Sequence, residues 1–420
     1  EDFRNPMSSP MPAITIQDGA GSNYIIAGHE PFSINNVLDQ KVIQFSNNLT
    51  YTKANHTYTF GFSFEKFEFD NSFNLGVYGY GNDNGYVGAF GAFASVADFV
   101  AAGSNGLLSE ALSNAQAVAD ADTWSLAETN VGQLAFYLQD EWDVNDDFKL
   151  TYGIRLDKPL YFDTDERAQD VIDGTGDYAP NTPYVNPNNG TVQLLDNTQM
   201  PSSSWLISPR VGFNYDVNGD STMQLRGGSG LFSGRIPFVW LGNQIGNPNW
   251  WFHQMVDPDY KYPQVWRTNL GLDRKYDNGL ILTADVSYSK DTNGAHVQNW
   301  GLLTPSGTLA GVDNRPIYTS ADHVLVNGDG LGFGAQANGY TFSNSDKGRI
   351  WNVAFKAQKT FDNGLYTSFA YSYLDSKDVN SIEAEITGDA FAFNPVVGDA
   401  NPDVLSYSKY GDSHRFIGVA

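Results

Sequence analysis

The sequence predicts an all-β fold, namely a transmembrane antiparallel β-barrel with long extracellular loops. Apolar and polar residues alternate with a period of two in paired segments of about ten residues, as in strands with one apolar face. The turns inside each pair are short, whereas the segments between pairs are long. Aromatic residues make up 14% of the 420 residues and charged residues only 17%, against roughly 25% charged residues in a typical soluble protein.

The composition excludes several other classes of protein. The chain has no cysteine, which excludes a disulfide scaffold, Cys-ligated zinc, iron–sulfur clusters and thiol catalysis. The aromatic content argues against disorder. The net charge of −24 disfavours a nucleic-acid partner, because phosphate neutralisation needs a basic surface. The longest apolar run, 89–102, is shorter than the ~18 residues of a membrane helix, and the start of the chain does not resemble a secretory signal peptide.

The clearest strand pair covers residues 133–144 and 148–157, joined by the polar turn Asn145-Asp146-Asp147. In the first strand Leu134, Phe136 and Leu138 fall on one face, and their neighbours along the chain fall on the other. Two runs of this kind around a short turn predict a hairpin.

The same unit recurs along the chain. Residues 267–276 and 280–288 form a second pair around Asn278-Gly279, and 351–361 and 365–373 form a third around Asn363-Gly364. Asn-Gly supplies the positive φ angle that a tight hairpin turn needs. Weaker copies centre on 217–220 and 53–56. In the last copy the alternation slips at Phe67 and Phe69, which predicts a β-bulge.

The strand count indicates which face meets lipid. We count ten full strands and the start of an eleventh at 414–420. The small polar face, made of Ser, Thr, Gly, Asn and Gln, could not fill the interior of so large a barrel, so we expect it to line a wet lumen. Aromatic residues beside the turns suggest an interfacial girdle, although ordinary strand-end aromatics are the alternative: Trp142, Phe148, Tyr276 and Phe361.

Four long segments separate the hairpins, and we expect them to be largely structureless loops. They span 71–129 (with a predicted helix at 107–120), 157–205, 291–348 and 376–413. Loops of this length usually carry function or disorder. Their acidic residues account for much of the net charge, and a solvated surface is the simpler explanation of that acidity.

Few residues suggest chemistry. The six histidines show no ligand spacing: His29, His56, His253, His296, His323 and His414. One acidic group could offer calcium its preferred oxygen ligands but lacks the spacing of an EF-hand loop: Asp163, Asp165, Glu166, Asp170 and Asp173. The glycines at 227–230 and 328–334 lack the Gly-Lys-Ser/Thr ending of a phosphate loop, and we interpret them as barrel and loop glycines. We therefore predict a non-enzyme with no catalytic residue, cofactor or metal; the substrate-binding residues are unknown, although lumen-facing groups such as Arg155 could line a path.

Several segments resemble a known family. Residues 131–157 (VGQLAFYLQDEWDVNDDFKLTYGIRLD) resemble the early barrel strands of TonB-dependent outer-membrane receptors, in the Oar-like branch common in Bacteroidetes-type bacteria. Further matches occur in the family's order on both sides of this segment: 30–36 (EPFSINN), 56–69, 208–240, 263–273 (PQVWRTNLGLD) and 314–318 (NRPIY). The resemblance implies a 22-stranded barrel plugged by an N-terminal domain, which moves a bulky substrate with energy from the TonB–ExbB–ExbD complex.

The resemblance also sets expectations about the whole protein. We expect residues 1–420 to be part of one barrel domain, about half of it, with the plug and the C-terminal strands outside this chain. The leading hypothesis is a TonB-dependent transporter in the cell outer membrane of a Gram-negative bacterium, surrounded by outer-membrane lipid. The alternatives are a structural or assembly-associated barrel whose loops dock partner proteins, and a soluble β-rich enzyme or carbohydrate-binding protein. A surface lipoprotein partner, as in glycan uptake, is a variant of the first hypothesis.

Overall fold

The structure, a computed structural model, describes residues 14–27, 37–72, 93–104, 127–174, 182–246, 253–325, 336–382 and 386–420. The strands of this part of the chain are β1 Ile14–Gln17, β2 Asn23–Ala27, β3 Val37–Lys53, β4 His56–Ser72, β5 Ala127–Asn145, β6 Phe148–Leu160, β7 Tyr184–Val185, β8 Val192–Gln193, β9 Leu206–Asp216, β10 Met223–Ser233, β11 His253–Val256, β12 Gln264–Lys275, β13 Leu280–Asp291, β14 Gly294–Asn299, β15 Gly307–Thr308, β16 Pro316–Ile317, β17 Gly339–Ser345, β18 Arg349–Thr360, β19 Tyr366–Asp378, β20 Ser406–Tyr407 and β21 His414–Val419. The α-helices are α1 Val96–Ser104, α2 Thr164–Gly174, α3 Val239–Gly246 and α4 Thr387–Ala392. None of the helices in these ranges is long and apolar enough to cross a membrane.

One antiparallel sheet, here called the wall, dominates the fold. Its strands follow the order β3-β4-β5-β6-β9-β10-β12-β13-β18-β19, and both β20 and β21 pair with β19. The five predicted hairpins and the eleventh strand are therefore confirmed. Neighbours in sequence are neighbours in the sheet, as expected of an up-and-down barrel.

Three of the five short turns contain a single residue in the left-handed region. Gly279 and Gly364 have φ angles of +79° and +85°, so a β-carbon would strain either turn. The amide of each donates to a carbonyl three residues earlier, that of Tyr276 or Phe361 respectively. In the turn between β3 and β4 a non-glycine residue, Ala54, takes this role with a φ of +53°.

The two faces of the wall differ as the alternation predicts. One face, the lipid face, exposes large apolar side chains such as Phe355 and Phe369. Two rows of aromatic residues bound it. The row at the turn end includes the predicted Trp142, Phe148, Tyr276 and Phe361, and a second row at the loop end contains Trp266, Tyr288, Trp351 and Tyr373.

The spacing of these two rows fits a membrane. Ten residues separate Trp351 from Phe361, which is about 33 Å along a strand and about 25 Å across a bilayer at a tilt of ~40°. A band of that height matches the apolar belt of outer-membrane barrels. The opposite face, here called the lumen face, carries mostly Ser, Thr, Gly, Asn, Gln and charged residues.

The predicted bulge near Phe67 is wrong. The register of β4 with both β3 and β5 is continuous through Phe67 and Phe69. These two rings lie on the lumen face near the loop end, where both approach Phe238 with centroids 4.8 and 5.6 Å away. The alternation slips because the inward face becomes apolar where another part of the protein packs on it.

That other part, here called the cap, consists of the described residues between β6 and β9, β10 and β12, β13 and β18, and β19 and β21. It contains a three-stranded sheet in which β17 pairs in parallel with β11 and antiparallel with β14. Its core includes Trp240 and Phe342, whose rings stack at 3.8 Å, and it continues onto Val131 and Leu206 of the wall. The expectation of structureless loops is therefore wrong for these segments, whereas the predicted helix at 107–120 lies outside the described residues.

Candidate functional site

The lumen face carries a set of arginines spread over neighbouring strands. Directly opposite residues of paired strands share a face. Arg210 lies opposite Gly153, and Arg267 opposite Gly230, which itself lies opposite Arg210. Arg155 and Arg226 occupy the same face on β6 and β10. Strand pairing therefore places four arginines, one from each of four strands, on the lumen face.

Two of these arginines line a polar cavity of about 290 Å³. Its other polar side chains come from β3, β4 and β5: Asn48, Thr59, Tyr137 and Gln139. The Tyr137 hydroxyl donates to the side-chain oxygen of Asn48. The ring lies across Gly61, where a β-carbon would sit 2.1 Å from a ring carbon, so glycine is required for this position of Tyr137. We call this cavity the lumen pocket.

Arg155 is fixed within the lumen pocket. Its guanidinium donates to both carboxylate oxygens of Asp157 at 2.9 and 3.1 Å and lies 5.3 Å from the centre of the Tyr137 ring. Asp157 is almost fully buried and also accepts a bond from Gln133 at 2.9 Å. The charge of Arg155 is therefore largely neutralised, and the residue acts as an oriented donor.

Arg210 differs because no carboxylate within the described ranges pairs with it. Its guanidinium lies 5.6 Å from the centre of the Phe232 ring. On the adjacent strand, a β-carbon at Gly230 would come within 2.8 Å of the Arg210 β-carbon, so the glycine leaves room for the side chain. Arg226, by contrast, contacts Asp273 at 3.0 Å and Asp285 at 2.8 Å. Arg210 therefore gives the lumen pocket an uncompensated positive charge.

The cap meets the wall above this pocket. Arg235, just after β10, forms an ion pair with Glu65 on the lumen face and lies 5.2 Å from the centre of the Phe67 ring. Glu65 also accepts a bond from Gln44 of β3 at 2.8 Å. This contact and the apolar cluster around Phe238 hold the cap against the inner side of the mouth.

The histidines do not form a metal centre within the described part of the chain, where no group of three or more His, Asp or Glu could hold a metal ion. His56 bonds to Asp140 through Nδ1 at 2.8 Å on the lipid face. His253 and His296 are buried in the cap, and burial lowers the pKa of each to about 4. His29 lies outside the described residues, and His323 and His414 lie in separate segments.

The acidic group predicted as a calcium candidate lies at and within α2. Asp163 accepts a bond from Asn130 at 2.8 Å and pairs with Arg167, while Asp173 accepts one from Gln169. The bond from Asn130 joins the start of the helix to β5, whereas the other two contacts are local to the helix. The glycines at 227–230 lie within β10, as interpreted from the sequence, and the run at 328–334 falls outside the described ranges.

The sequence reading found Arg155 but missed Arg210 and the rest of the lumen pocket. Strand pairing was the missing signal, because Arg155 and Arg210 come from strands separated by a long segment. Arg155 and Gly153 point to the same face of β6, and Gly153 lies opposite Arg210, so the register between β6 and β9 would have placed Arg210 on the lumen face.

Comparisons with known proteins place the chain among bacterial outer-membrane proteins. Residues 2–251 match the sequence profile of the outer membrane beta barrel domain family. Among curated protein sequences none matches this chain.

Solved structures similar to the chain include three transport or receptor proteins. They are the copper transporter OprC (12% identity, TM-score 0.44, 81% of this chain and 38% of that one), the FrpB iron transporter from Neisseria meningitidis (10%, 0.44, 81% and 36%) and the siderophore receptor PirA from Acinetobacter baumannii (11%, 0.42, 87% and 40%). The chain thus spans well under two thirds of the length of each.

Proposed function

This chain belongs to the outer membrane β-barrel domain family, and we propose that its protein is a TonB-dependent receptor that imports a bulky substrate through a plugged barrel. The protein resides in the outer membrane of a Gram-negative bacterium, with the lipid face against lipid and the short turns toward the periplasm. The proposal includes coupling to TonB–ExbB–ExbD and membership of the Oar-like branch, both of which rest on the sequence resemblance.

The lumen pocket is the observation that carries the proposal. A sheet with only a structural role in the membrane would not need an uncompensated Arg210 beside an oriented Arg155 inside the barrel. Guanidinium groups match carboxylates and phosphates, and here they face a wet interior. In a gated barrel such groups bind the polar surface of a plug or a passing substrate, while the cap narrows the entrance above them.

The proposal treats residues 1–420 as part of a longer barrel domain. Within the described ranges β3 pairs only with β4, and β21 only with β19. Strand edges exposed to hydrocarbon leave backbone groups without partners, which membrane proteins avoid. Further strands that pair with β3 and β21 would close the sheet.

The test uses the full-length protein in its native outer membrane. Cells that produce it are given labelled ferric chelates, peptides and glycans, and uptake is compared with and without a functional TonB. We expect TonB-dependent uptake of at least one substrate, reduced at least tenfold by Arg155→Gln with Arg210→Gln. The matched control is Lys53→Gln on the lipid face. Purified full-length protein that does not bind the periplasmic domain of TonB would refute the proposal.

A docking role for the loops is a second candidate, supported by exposed apolar residues after β19. The Ser406 hydroxyl donates to the Pro395 carbonyl at 3.1 Å and joins two parts of this segment. Exposed side chains cluster around that bond in sequence: Phe393, Val397, Val404, Tyr407 and Tyr410. A stable complex with another outer-membrane protein that survives loss of TonB and dissociates in Phe393→Asp with Tyr407→Asp would favour this role.

A further inference from the structure

The lipid face carries two apolar grooves of similar size that differ in charge. One, of about 420 Å³, lies over β3 to β6, and no ionisable side chain other than Tyr137 lines it. The other, of about 490 Å³, lies over β10 to β19 and includes Arg274 and Lys356 in its lining, although Lys356 belongs to the lumen-facing register of β18. We call the second one the basic groove. Its position on the membrane-facing side makes it independent of the lumen and of the proposed transport function.

Small residues form the floor of the basic groove. Ala284 and Ala357 face the lipid on adjacent strands and leave a depression. Larger apolar side chains rise on either side: Leu272, Leu282, Phe355 and Phe369. Phe355 and Phe369 are more than half exposed, so the sides of the groove project from the sheet. A depression of this kind between protruding apolar side chains fits an acyl chain better than a flat surface does.

Two cations stand at the turn end of the basic groove, one on each side of β13. Arg274 lies 5.7 Å from the centre of the Tyr276 ring, and Lys359 lies 5.0 Å from that of Phe361. Each cationic group thus lies close to the ring of the aromatic residue at the start of the adjacent turn. Because β13 alone separates β12 from β18, the backbones of the two residues are about 10 Å apart across the strands. Two long side chains can therefore reach the same lipid headgroup.

The charges of these cations are at most partly compensated. Neither Arg274 nor Lys359 forms an ion pair within the described ranges. The carboxylate of Asp220 accepts bonds from the amide and hydroxyl of Thr222, and these bonds together with the nearby charge of Arg274 lower its pKa, so Asp220 offsets part of the Arg274 charge without forming an ion pair. At the loop end of the lipid face, by contrast, Lys41 and Lys66 both pair with Glu68 at 2.8 Å.

We propose that the basic groove is a binding site for one anionic glycerophospholipid of the periplasmic leaflet. An acyl chain would lie over Ala284 and Ala357, and the phosphodiester would bind Arg274 and Lys359. The occupant follows from the position of the charges: the turn end faces the periplasm, so the cations meet phospholipid headgroups of the inner leaflet. Ordinary snorkelling of basic residues explains one cation at an interface. It does not explain a depression that has one lipid-facing cation, Arg274, in its lining and a second, Lys359, at its turn end, whereas no cation lines the other groove.

The test is a titration of the full-length detergent-purified protein with phosphatidylglycerol, followed by native mass spectrometry. We expect one tightly bound lipid per protein. Since each basic group near an anionic lipid strengthens binding roughly fivefold, Arg274→Gln with Lys359→Gln should weaken it about 30-fold. Ala357→Phe keeps both cations but fills the groove, so it should also remove the bound lipid.

Matched controls separate this site from general attraction. Lys53→Gln removes a cation from the same end of the lipid face but outside the groove, and it should leave the lipid bound. The proposal is overturned if phosphatidylethanolamine binds equally well, if Lys53→Gln weakens binding as much as the double variant, or if Ala357→Phe has no effect. Cross-linking of two copies through the groove would also overturn it, because a second protein would then be the occupant.

Discussion

Replacement of Trp240 by alanine tests whether the cap unfolds separately from the wall. Trp240 is 5% exposed and stacks on Phe342 at 3.8 Å with an interplanar angle of 15°. Removing a buried tryptophan costs about 3–5 kcal/mol through lost burial and the cavity left behind. If the cap opens as a unit, a loss of about 4 kcal/mol speeds hydrogen exchange of its amides about a thousandfold.

The assay is hydrogen exchange of the full-length protein in detergent, read by mass spectrometry for β11, β14 and β17 against β12 and β13. Only the cap strands should exchange faster. Phe393→Ala is the control, because this cap residue is 70% exposed and its removal should change exchange little. Equal acceleration in the cap and wall strands would show that the two unfold together and that the reasoning is wrong.

Two further predictions concern the cap and the lumen pocket. Burial lowers the pKa of His253 and His296 to about 4, below the ~6.5 of an unfolded chain, so the unfolded cap takes up protons first as the pH falls. The cap should therefore lose about 1.5 kcal/mol of stability per histidine between pH 6.5 and 5. Urea unfolding followed by proteolysis of the cap measures this loss, and an unfolding midpoint that does not change with pH would contradict it. In the pocket, Gly61→Ala should displace Tyr137 and break its bond to Asn48. Substrate uptake should then fall while barrel stability in detergent stays nearly constant, and normal uptake would exclude a role for the pocket geometry.

The wall could be predicted from the sequence because its information is local. Asn278-Gly279 and Asn363-Gly364 each mark a turn, and the alternation on either side assigns every side chain to a face. The strand ends followed within a few residues. The wrong bulge at Phe67 has a non-local cause, because alternation cannot reveal that part of the lumen face is covered by a segment distant in sequence.

The cap could not be predicted because its contacts are distant in sequence. β11 and β17 are both short, neither has a clear period, and they pair across the whole β12–β13 hairpin. The lumen pocket depends in the same way on register between strands from different hairpins. Composition described these segments as acidic and polar, which is true of their sequence but does not reveal which polar groups are buried.

The buried polar groups of the cap give its asparagine and glutamine residues a structural role. Asn401 pairs with the backbone of Asn299 on both sides, accepting from its amide at 2.8 Å and donating to its carbonyl at 2.9 Å. Gln298 donates to the Asn401 carbonyl and to the side chain of Asn188, and so joins three separate loops. Such bonds are directional, and any member left unpaired when buried costs about 1–3 kcal/mol. An apolar cluster alone could pack these loops in several ways, whereas the amide bonds select one arrangement. The cap can therefore present a fixed surface above the lumen, as the proposed receptor function requires.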